Sequence, residues 1–156
     1  APTVLIGHSL GGAAVLASAG KISEARAVCT IGAPADPEHV VHHFGDARDE
    51  IEAAGEAEVT IGGRPFRIKS SFLEDIKAQS LDKSIRDMGK ALLVFHSPVD
   101  DIVDIGNARH IYEAARHPKS FVCLDGADHM LTDRADAYYV AEVISAWANR
   151  YNEETA

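Results

Sequence analysis

The stretch Val4–Gly12, with the sequence VLIGHSLGG, decides how the rest of the chain is interpreted. Its first residues form a short apolar run that ends at Gly7, which predicts a buried strand. The small residues of Ala13–Ala19 favour a helix. Ser9 therefore stands in a tight turn between a strand and a helix, with Gly7 and Gly11 two residues away on either side.

This turn is the first place to look for a nucleophile, because Gly7–Gly11 matches the pattern G-x-S-x-G. Such a turn strains the serine backbone and lifts the hydroxyl clear of the sheet, and the two glycines give the room that it needs. Leu10 can then present its backbone N–H to a developing oxyanion at the start of the helix. The alternative is a glycine-rich loop with an incidental serine. Because the strand–turn–helix context fits as well as the motif, we predict that Ser9 is a nucleophile and Leu10 an oxyanion-hole donor.

Apolar runs and helical patterns alternate over the rest of the chain. Three further runs predict buried strands, at Ala27–Ile31, Ala91–Phe95 and Ser120–Leu124. Amphipathic spacing predicts a helix around Ala108–Ala115 and a last helix that begins near Asp133. All-apolar strands that alternate with helices are typical of a parallel sheet covered on both faces. We therefore predict an α/β fold of about four parallel strands flanked by helices.

Residues 35–90 have a different character, since they are rich in charge. Two alternating segments, Glu58–Ile61 and Arg64–Ile68, are separated by Gly62–Gly63, which predicts a β-hairpin with a two-residue turn. Apolar residues then recur at helical spacing, which predicts one or two short helices, at Phe72, Leu73 and Ile76 and at Leu81, Ile85 and Met88. We expect residues 35–90 to be an insertion between two core strands.

A serine hydroxyl is a poor nucleophile at neutral pH and needs a base that is itself held by a carboxylate. Two loops at the ends of predicted strands can supply these groups. The strand Ala91–Phe95 leads into His96–Val103, and the strand Ser120–Leu124 leads into Asp125–His129. His129 is the best candidate for the base, and the alternative is a histidine of a surface loop.

Composition excludes several classes of protein. The chain has 156 residues, 46% of them hydrophobic and 25% charged, as in an ordinary globular domain rather than a disordered chain. Its net charge of −9 makes nucleic acid an unfavourable partner. No apolar run approaches the ~20 residues that span a bilayer, and no signal-type segment opens the chain, so we expect no membrane partner.

The two cysteines, Cys29 and Cys123, are too few for a disulfide framework. Both lie in apolar runs, so we expect buried, unreactive thiols and a cytoplasmic, reducing setting.

The remaining histidines are assigned structural roles. His8 is expected to pack beside the nucleophile or to line the site. Three histidines at helical spacing could in principle bind a metal, but no cysteine or carboxylate set accompanies His39, His42 and His43, and we predict no metal site. His110 and His117 are expected at the surface of a helix.

Several segments together resemble the C-terminal half of an α/β-hydrolase domain, above all Gly7–Gly12 and Gly126–His129. More narrowly, four segments are similar to the hydrolase half of hydrolase–OsmC fusion proteins: Leu5–Ala14, Ala33–Pro34, Ile61–Phe66 and His117–Phe121. The resemblance implies a serine esterase that needs no cofactor, with Ser9 as nucleophile, His129 as general base and acid, and Asp100 as the carboxylate.

Three aspartates are candidates for the carboxylate. Asp100 and Asp101 are favoured, and Asp104 ranks third. The acid of an α/β-hydrolase commonly lies in a pattern such as H-G-x-x-D-x-x-V, in which the later apolar residue packs beneath the loop. His96 and Val103 frame Asp100 in this register. Asp101 is then expected to be solvated or to cap a helix. Two further aspartates are expected to structure their loop through backbone hydrogen bonds, namely Asp125 and Asp128.

The resemblance further implies that residues 1–156 are a single, N-terminally truncated hydrolase domain, with residues 35–90 as a cap-like insertion over the pocket. A complete domain has strands before the nucleophile turn, and these bring a second oxyanion donor, whose loss costs about 10²–10³ in turnover. Without them the strand Val4–Ile6 has an open apolar edge. We therefore expect a homo-oligomer, or pairing of this edge with the missing strands.

Two functions of different classes remain. The first is a serine hydrolase that cleaves small-molecule carboxylic esters through an acyl-enzyme. The second is a non-catalytic folding or association module whose oxyanion hole is incomplete. A peroxide-reducing role, which the OsmC resemblance suggests, has no support because neither cysteine is in an exposed, paired context.

Overall fold

The computed structural model describes residues 2–37, 47–61, 63–71, 74 and 81–152. Strands and helices alternate along these ranges, and a single 3-10 turn at Ala19–Lys21 follows the first helix. The strands are β1 Val4–His8, β2 Ala27–Ile31, β3 Glu56–Ile61, β4 Arg64–Lys69, β5 Ala91–His96 and β6 Lys119–Cys123. The helices are α1 Leu10–Ser18, α2 Ala47–Ala54, α3 Leu81–Asp87, α4 Gly106–Ala114 and α5 Arg134–Asn152.

Four strands form a parallel sheet in the order β1-β2-β5-β6. This arrangement confirms the predicted sheet of four parallel strands flanked by helices. Because the strands are parallel, all their carboxyl ends lie at one edge of the sheet. The turn after β1 and the loops after β2, β5 and β6 therefore meet at that edge.

The core lies on both faces of the two inner strands, β2 and β5. One face packs against α1, α3 and α4 through Val28, Leu92 and Val94. The opposite face packs against α5 through Cys29 and Phe95. Since successive side chains of a strand point to opposite faces, two inner strands covered on both sides are expected to be largely apolar. The buried polar residues Thr30 on β2 and His96 at the end of β5 are the exceptions.

The outer strands β1 and β6 are less buried than predicted. The side chain of Ile6 is 52% exposed and that of Phe121 is 43% exposed. Among the described residues, each of these strands pairs with only one other strand. The exposed side chains show that the helices do not cover either strand fully. The prediction of buried strands is therefore correct for β2 and β5 and wrong for much of β1 and β6.

Cys123 is exposed, and the prediction that both thiols are buried is wrong for this residue. It lies on β6, in register with His96. Its Sγ lies 3.1 Å from Asp125 Oδ1, and this hydrogen bond raises the pKa of the Cys123 thiol. Cys29 is buried as predicted, and burial raises its pKa to about 12.

The predicted hairpin is present as a separate antiparallel sheet of β3 and β4. Gly63 has φ +78°, the left-handed conformation that a tight hairpin turn needs, whereas Gly62 lies outside the described residues. Leu81 and Ile85 lie on the short helix α3, as predicted, and three positions of the first predicted helix lie outside the described residues, namely Phe72, Leu73 and Ile76.

The hairpin packs on the start of α1 and on the loop after β5, close to the turn after β1. Its inner face forms one cluster with Leu10 and with Val103 of the loop after β5, through Ala57, Val59 and Ile68. The hairpin is thus anchored on Leu10, the residue that follows Ser9. Within the described ranges, no helix combines the length and apolarity of a bilayer-spanning segment.

Candidate active site

Ser9 occupies a strained turn between β1 and α1, with φ 55° and ψ −127°. A non-glycine residue rarely adopts positive φ, and such strain is concentrated at functional sites. The turn is held by backbone bonds, because the Ser9 N–H donates to Ile31 O at 2.9 Å and the Gly12 N–H donates to Ser9 O at 2.9 Å. Although Ser9 is the N-cap residue of α1, its hydroxyl makes no capping bond. The hydroxyl is therefore available for another partner.

Two glycines let α1 approach the end of the sheet. A Cβ built on Gly7 would lie 2.2 Å from Gly11 O, and one built on Gly12 would lie 2.5 Å from Ala33 Cβ. A Cβ on Gly11 would meet no described atom within 4 Å. The prediction that Gly7 makes room for the turn is confirmed, but the second close approach belongs to Gly12 rather than to Gly11.

His129 lies between Ser9 and Asp100. Its Nδ1 is 2.7 Å from Asp100 Oδ2, and its Nε2 is 3.0 Å from Ser9 Oγ. Because a carboxylate only accepts hydrogen bonds, Nδ1 carries the hydrogen, and Nε2 is left with a lone pair that accepts from the Ser9 hydroxyl. Ser9 follows β1, Asp100 follows β5 and His129 follows β6, so all three residues lie at the carboxyl edge of the sheet.

The structure places Asp100, rather than either alternative, against the imidazole. Its Oδ1 accepts hydrogen bonds from the N–H groups of Ile102 at 2.9 Å and Val103 at 2.8 Å. Asp101 is exposed, and Asp104 instead accepts from the Gly106 N–H at 2.7 Å at the start of α4. Asp104, rather than Asp101, thus binds a backbone N–H at the start of α4.

The pKa of the Asp100 carboxyl lies below its ordinary value of 3.8. Burial opposes ionisation, but the hydrogen bonds from His129 and from the backbone of Val103 and Ile102 outweigh it. Asp100 is therefore held as a carboxylate at neutral pH, in the charge state that can orient a histidine and stabilise its protonated form.

His8 contacts the same histidine from the other side. Its Nε2–H donates to the backbone carbonyl of His129 at 2.7 Å, and the two ring centroids are 5.0 Å apart. Burial lowers the pKa of His8 below 6.5, although the bond to the His129 carbonyl partly offsets this effect. His8 thus packs beside the nucleophile turn, as expected, and holds the loop that carries His129.

Two residues near Asp100 complete the site. The buried His96 donates from Nε2 to Val103 O at 2.8 Å, which ties the two ends of the Asp100 loop together, and the same nitrogen lies 3.7 Å from Asp100 Oδ2. Sequence reasoning did not assign Gly32 to the site. It has φ +56°, and a Cβ built on it would lie 3.3 Å from both Asp100 Oδ2 and His129 Nδ1. The only signal in the sequence is a glycine directly after an apolar strand.

The other histidines and loop aspartates lie outside this cluster. His110 is exposed on α4 and 2.7 Å from Asp82 Oδ1, whereas His117, also exposed, follows α4 instead of lying on it. Asp128 structures its loop as predicted, since it accepts from the Thr132 N–H at 2.8 Å and also binds the Thr132 hydroxyl.

No three histidine, cysteine or carboxylate side chains gather as a metal site in the described part of the chain. Three of the histidines that the sequence singled out, His39, His42 and His43, lie outside the described residues.

A cavity of about 460 Å³ opens next to the start of α1. Its walls come from α1 and from β4, and they include Leu10, Gly11, Phe66 and Ile68. A cavity of this size is within the range of small-molecule sites. The site therefore combines an aligned hydroxyl, imidazole and carboxylate with space for a ligand beside them.

The crystal structure of the esterase domain of a protein from Rhodothermus marinus is similar to this chain, with 57% sequence identity and a TM-score of 0.88. The match covers 96% of this chain and 62% of that one. The chain thus spans about three fifths of the length of this relative.

Two more distant structures share the same fold. Alpha/beta hydrolase domain-containing protein 10 from mouse is 22% identical, with a TM-score of 0.66, and the match covers 96% of this chain and 62% of that one. A monoacylglycerol lipase from Paleococcus ferrophilus is 17% identical, with a TM-score of 0.72 and coverage of 96% and 68%. At these identities the likeness shows the fold alone. No protein-family model and no curated protein matches the chain.

Proposed function

Because this chain is related to the α/β-hydrolase superfamily, and because it has part of that fold, we propose that it is a serine hydrolase that cleaves carboxylic esters. One observation carries the proposal, namely the alignment of Ser9 Oγ, the His129 imidazole and the Asp100 carboxylate at 3.0 and 2.7 Å. The similar structure from Rhodothermus marinus is an esterase domain, which supports the same reaction class. The narrower resemblance to hydrolase–OsmC fusion proteins stays a prediction.

The proposed reaction has two steps through an acyl-enzyme. His129 Nε2 takes the proton of the Ser9 hydroxyl while Oγ attacks the ester carbonyl, and the same nitrogen then returns the proton to the leaving alcohol. Water, activated by His129, then breaks the bond between the acyl group and Ser9 and releases the acid. Asp100 keeps Nδ1 protonated throughout and stabilises the imidazolium that forms.

The oxyanion of each tetrahedral intermediate needs a donor, and we assign one to the backbone N–H of Leu10. This N–H is at the first position of α1, where no carbonyl of the helix can accept from it. The start of a helix also carries partial positive charge, which favours a developing anion.

The test is hydrolysis of p-nitrophenyl acetate together with labelling by a fluorophosphonate probe. Wild type should be labelled and should hydrolyse the ester. Ser9→Ala should be neither labelled nor active, because both reactions need the activated hydroxyl. The exposed Ser145→Ala on α5 is the matched control and should behave as wild type. Equal turnover in wild type and Ser9→Ala, with no labelling of either, would contradict the proposal and favour the non-catalytic module.

A further inference from the structure

The cavity beside the nucleophile turn has apolar walls on two sides. Leu10 and Ala14 lie four residues apart on α1 and so present the same face of the helix. Phe66 and Ile68 are two residues apart on β4 and therefore lie on the same face of the hairpin, the face toward α1. Ile68 and Leu10 also belong to one packed cluster, which fixes the two walls relative to each other.

Gly11 keeps this cavity open. It lines the cavity, yet a Cβ built on it meets no described atom within 4 Å. Its φ is not in the left-handed region, so the backbone does not require a glycine here. Among the described residues, neither the turn nor the packing of α1 explains the missing side chain, whereas a side chain at this position would project into the cavity.

The position of the cavity tells which part of a substrate it meets. Its lining includes Leu10 and Gly11, the two residues after Ser9, and includes neither His129 nor Asp100. A leaving alcohol has to receive a proton from His129 and therefore lies on the side of the imidazole. The group bonded to the carbonyl carbon extends away from it.

We infer that the cavity between α1 and β4 binds an apolar acyl chain longer than acetyl, with Gly11 and Ala14 as its floor and Phe66 and Ile68 as its opposite wall. This inference rests on the proposed function, because it assigns the cavity to the acyl side of the same reaction. Three polar residues, Arg67, Lys69 and Ser71, also line the cavity, but all three are exposed. Their polar groups can therefore stay in water when an apolar chain enters, and no buried charge is left without a partner.

The first experiment compares p-nitrophenyl octanoate with p-nitrophenyl acetate, two esters that differ only in the acyl chain. In wild type the octanoate ester should have the higher kcat/KM. Ala14→Leu should lower the octanoate-to-acetate ratio by about tenfold or more, because the added side chain fills the cavity. Ala146→Leu places the same change on an exposed position of α5 and should leave the ratio at its wild-type value.

A second variant guards against misfolding of Ala14→Leu. Gly11→Ala adds a single methyl group into open space, so it should fold normally and should lower the same ratio by about tenfold, the lower end of the effect of one methyl group in a binding pocket. A ratio within twofold of wild type in both variants would overturn the inference.

Binding of free octanoate to the Ser9→Ala protein, measured by isothermal titration calorimetry, separates this inference from the proposed function. Octanoate should bind more tightly than acetate, and the added change Ala14→Leu, but not Ala146→Leu, should weaken octanoate binding at least tenfold. If octanoate binds in this way but the wild-type chain shows no Ser9-dependent esterase activity, the cavity assignment is supported and the proposed function is contradicted. An absence of octanoate binding would overturn the assignment of the cavity to an acyl chain, whatever the esterase assay shows.

Discussion

At the scale of single residues, the candidate site depends on which nitrogen of His129 carries the hydrogen. Asp100 decides this, because its Oδ2 accepts from Nδ1 and its Oδ1 is held by two backbone N–H groups. A buried carboxylate with three donors has little freedom to turn. The imidazole therefore presents the lone pair of Nε2 to Ser9, as a general base requires.

Replacing this carboxylate by an amide should remove the group that fixes the hydrogen of His129 on Nδ1. We expect Asp100→Asn to lower kcat for p-nitrophenyl acetate by about 10⁴-fold, the loss typical of a triad that holds the wrong tautomer. The exposed neighbour Asp101→Asn is the matched control and should stay within about twofold of wild type, as is usual for a change at the surface. A comparable loss of kcat in both variants would show that the loop, and not this carboxylate, matters.

His8 should make stability depend on pH in a defined window. Its pKa in the folded chain lies below the ordinary 6.5. As the pH falls below 6.5, the unfolded chain takes up a proton that the folded chain does not, so the free energy of unfolding decreases until the folded pKa is reached. Above this window the group contributes no slope.

His8→Gln keeps a donor for the His129 carbonyl but does not titrate, so its stability should fall less than that of wild type over this window. Urea denaturation at a series of pH values from 7.5 down to 5 measures the two slopes, with the exposed His110→Gln as the control. Parallel curves for wild type and His8→Gln would refute the assignment.

At the scale of elements, the contact between β1 and α1 is the tightest backbone approach at the site. Gly7 lies under the carbonyl of Gly11, and no side chain fits between them. The hairpin of β3 and β4 then packs on Leu10 from the other side. The nucleophile turn is thus held between the parallel sheet and the hairpin of β3 and β4.

We expect Gly7→Ala to destabilise the chain by about 1–3 kcal/mol, as overpacking of a filled site does, because its Cβ would meet the backbone of α1. Gly11→Ala is the matched control. It adds a methyl group in open space on a helix and should change the free energy of unfolding by about 0 to 1 kcal/mol in the stabilising direction. Chemical denaturation measures both values, and equal effects of the two changes would contradict the assigned roles.

At the scale of the whole molecule, stability comes from the inner strands rather than from the edges of the sheet. Phe95 on β5 is fully buried between the sheet and α5, whereas Phe121 on β6 is 43% exposed. Burial of apolar surface is the dominant favourable term in folding, so the same residue type should contribute very differently at the two places.

Phe95→Ala should therefore lower the free energy of unfolding by about 3–5 kcal/mol, the range for removal of a buried aromatic ring. Phe121→Ala should cost about 1 kcal/mol or less, as expected for a partly exposed position. Guanidinium denaturation of both variants tests the difference, and similar costs would mean that the edge strand β6 is covered in solution.

The sequence by itself determined where the four core strands lie along the chain, their parallel arrangement and the places where reactive side chains stand. Apolar runs of strand length, helical spacing and the turn around Ser9 are local patterns, and their order along the chain puts Ser9, Asp100 and His129 each after a different strand of the sheet. Parallel strands end at one edge, so the meeting of these loops could be predicted without coordinates. The hairpin also followed from its glycine turn.

Only the tertiary structure decided which groups touch. It placed Asp100, the aspartate that the sequence pattern already favoured, 2.7 Å from His129 Nδ1, placed Gly32 against this pair, and left Cys123 exposed. It also moved the second close approach from Gly11 to Gly12 and opened a cavity beside Gly11. Each of these depends on how segments far apart in the chain pack together within a few ångströms. Local sequence patterns carry the direction of a side chain but not the identity of the distant neighbour that it meets.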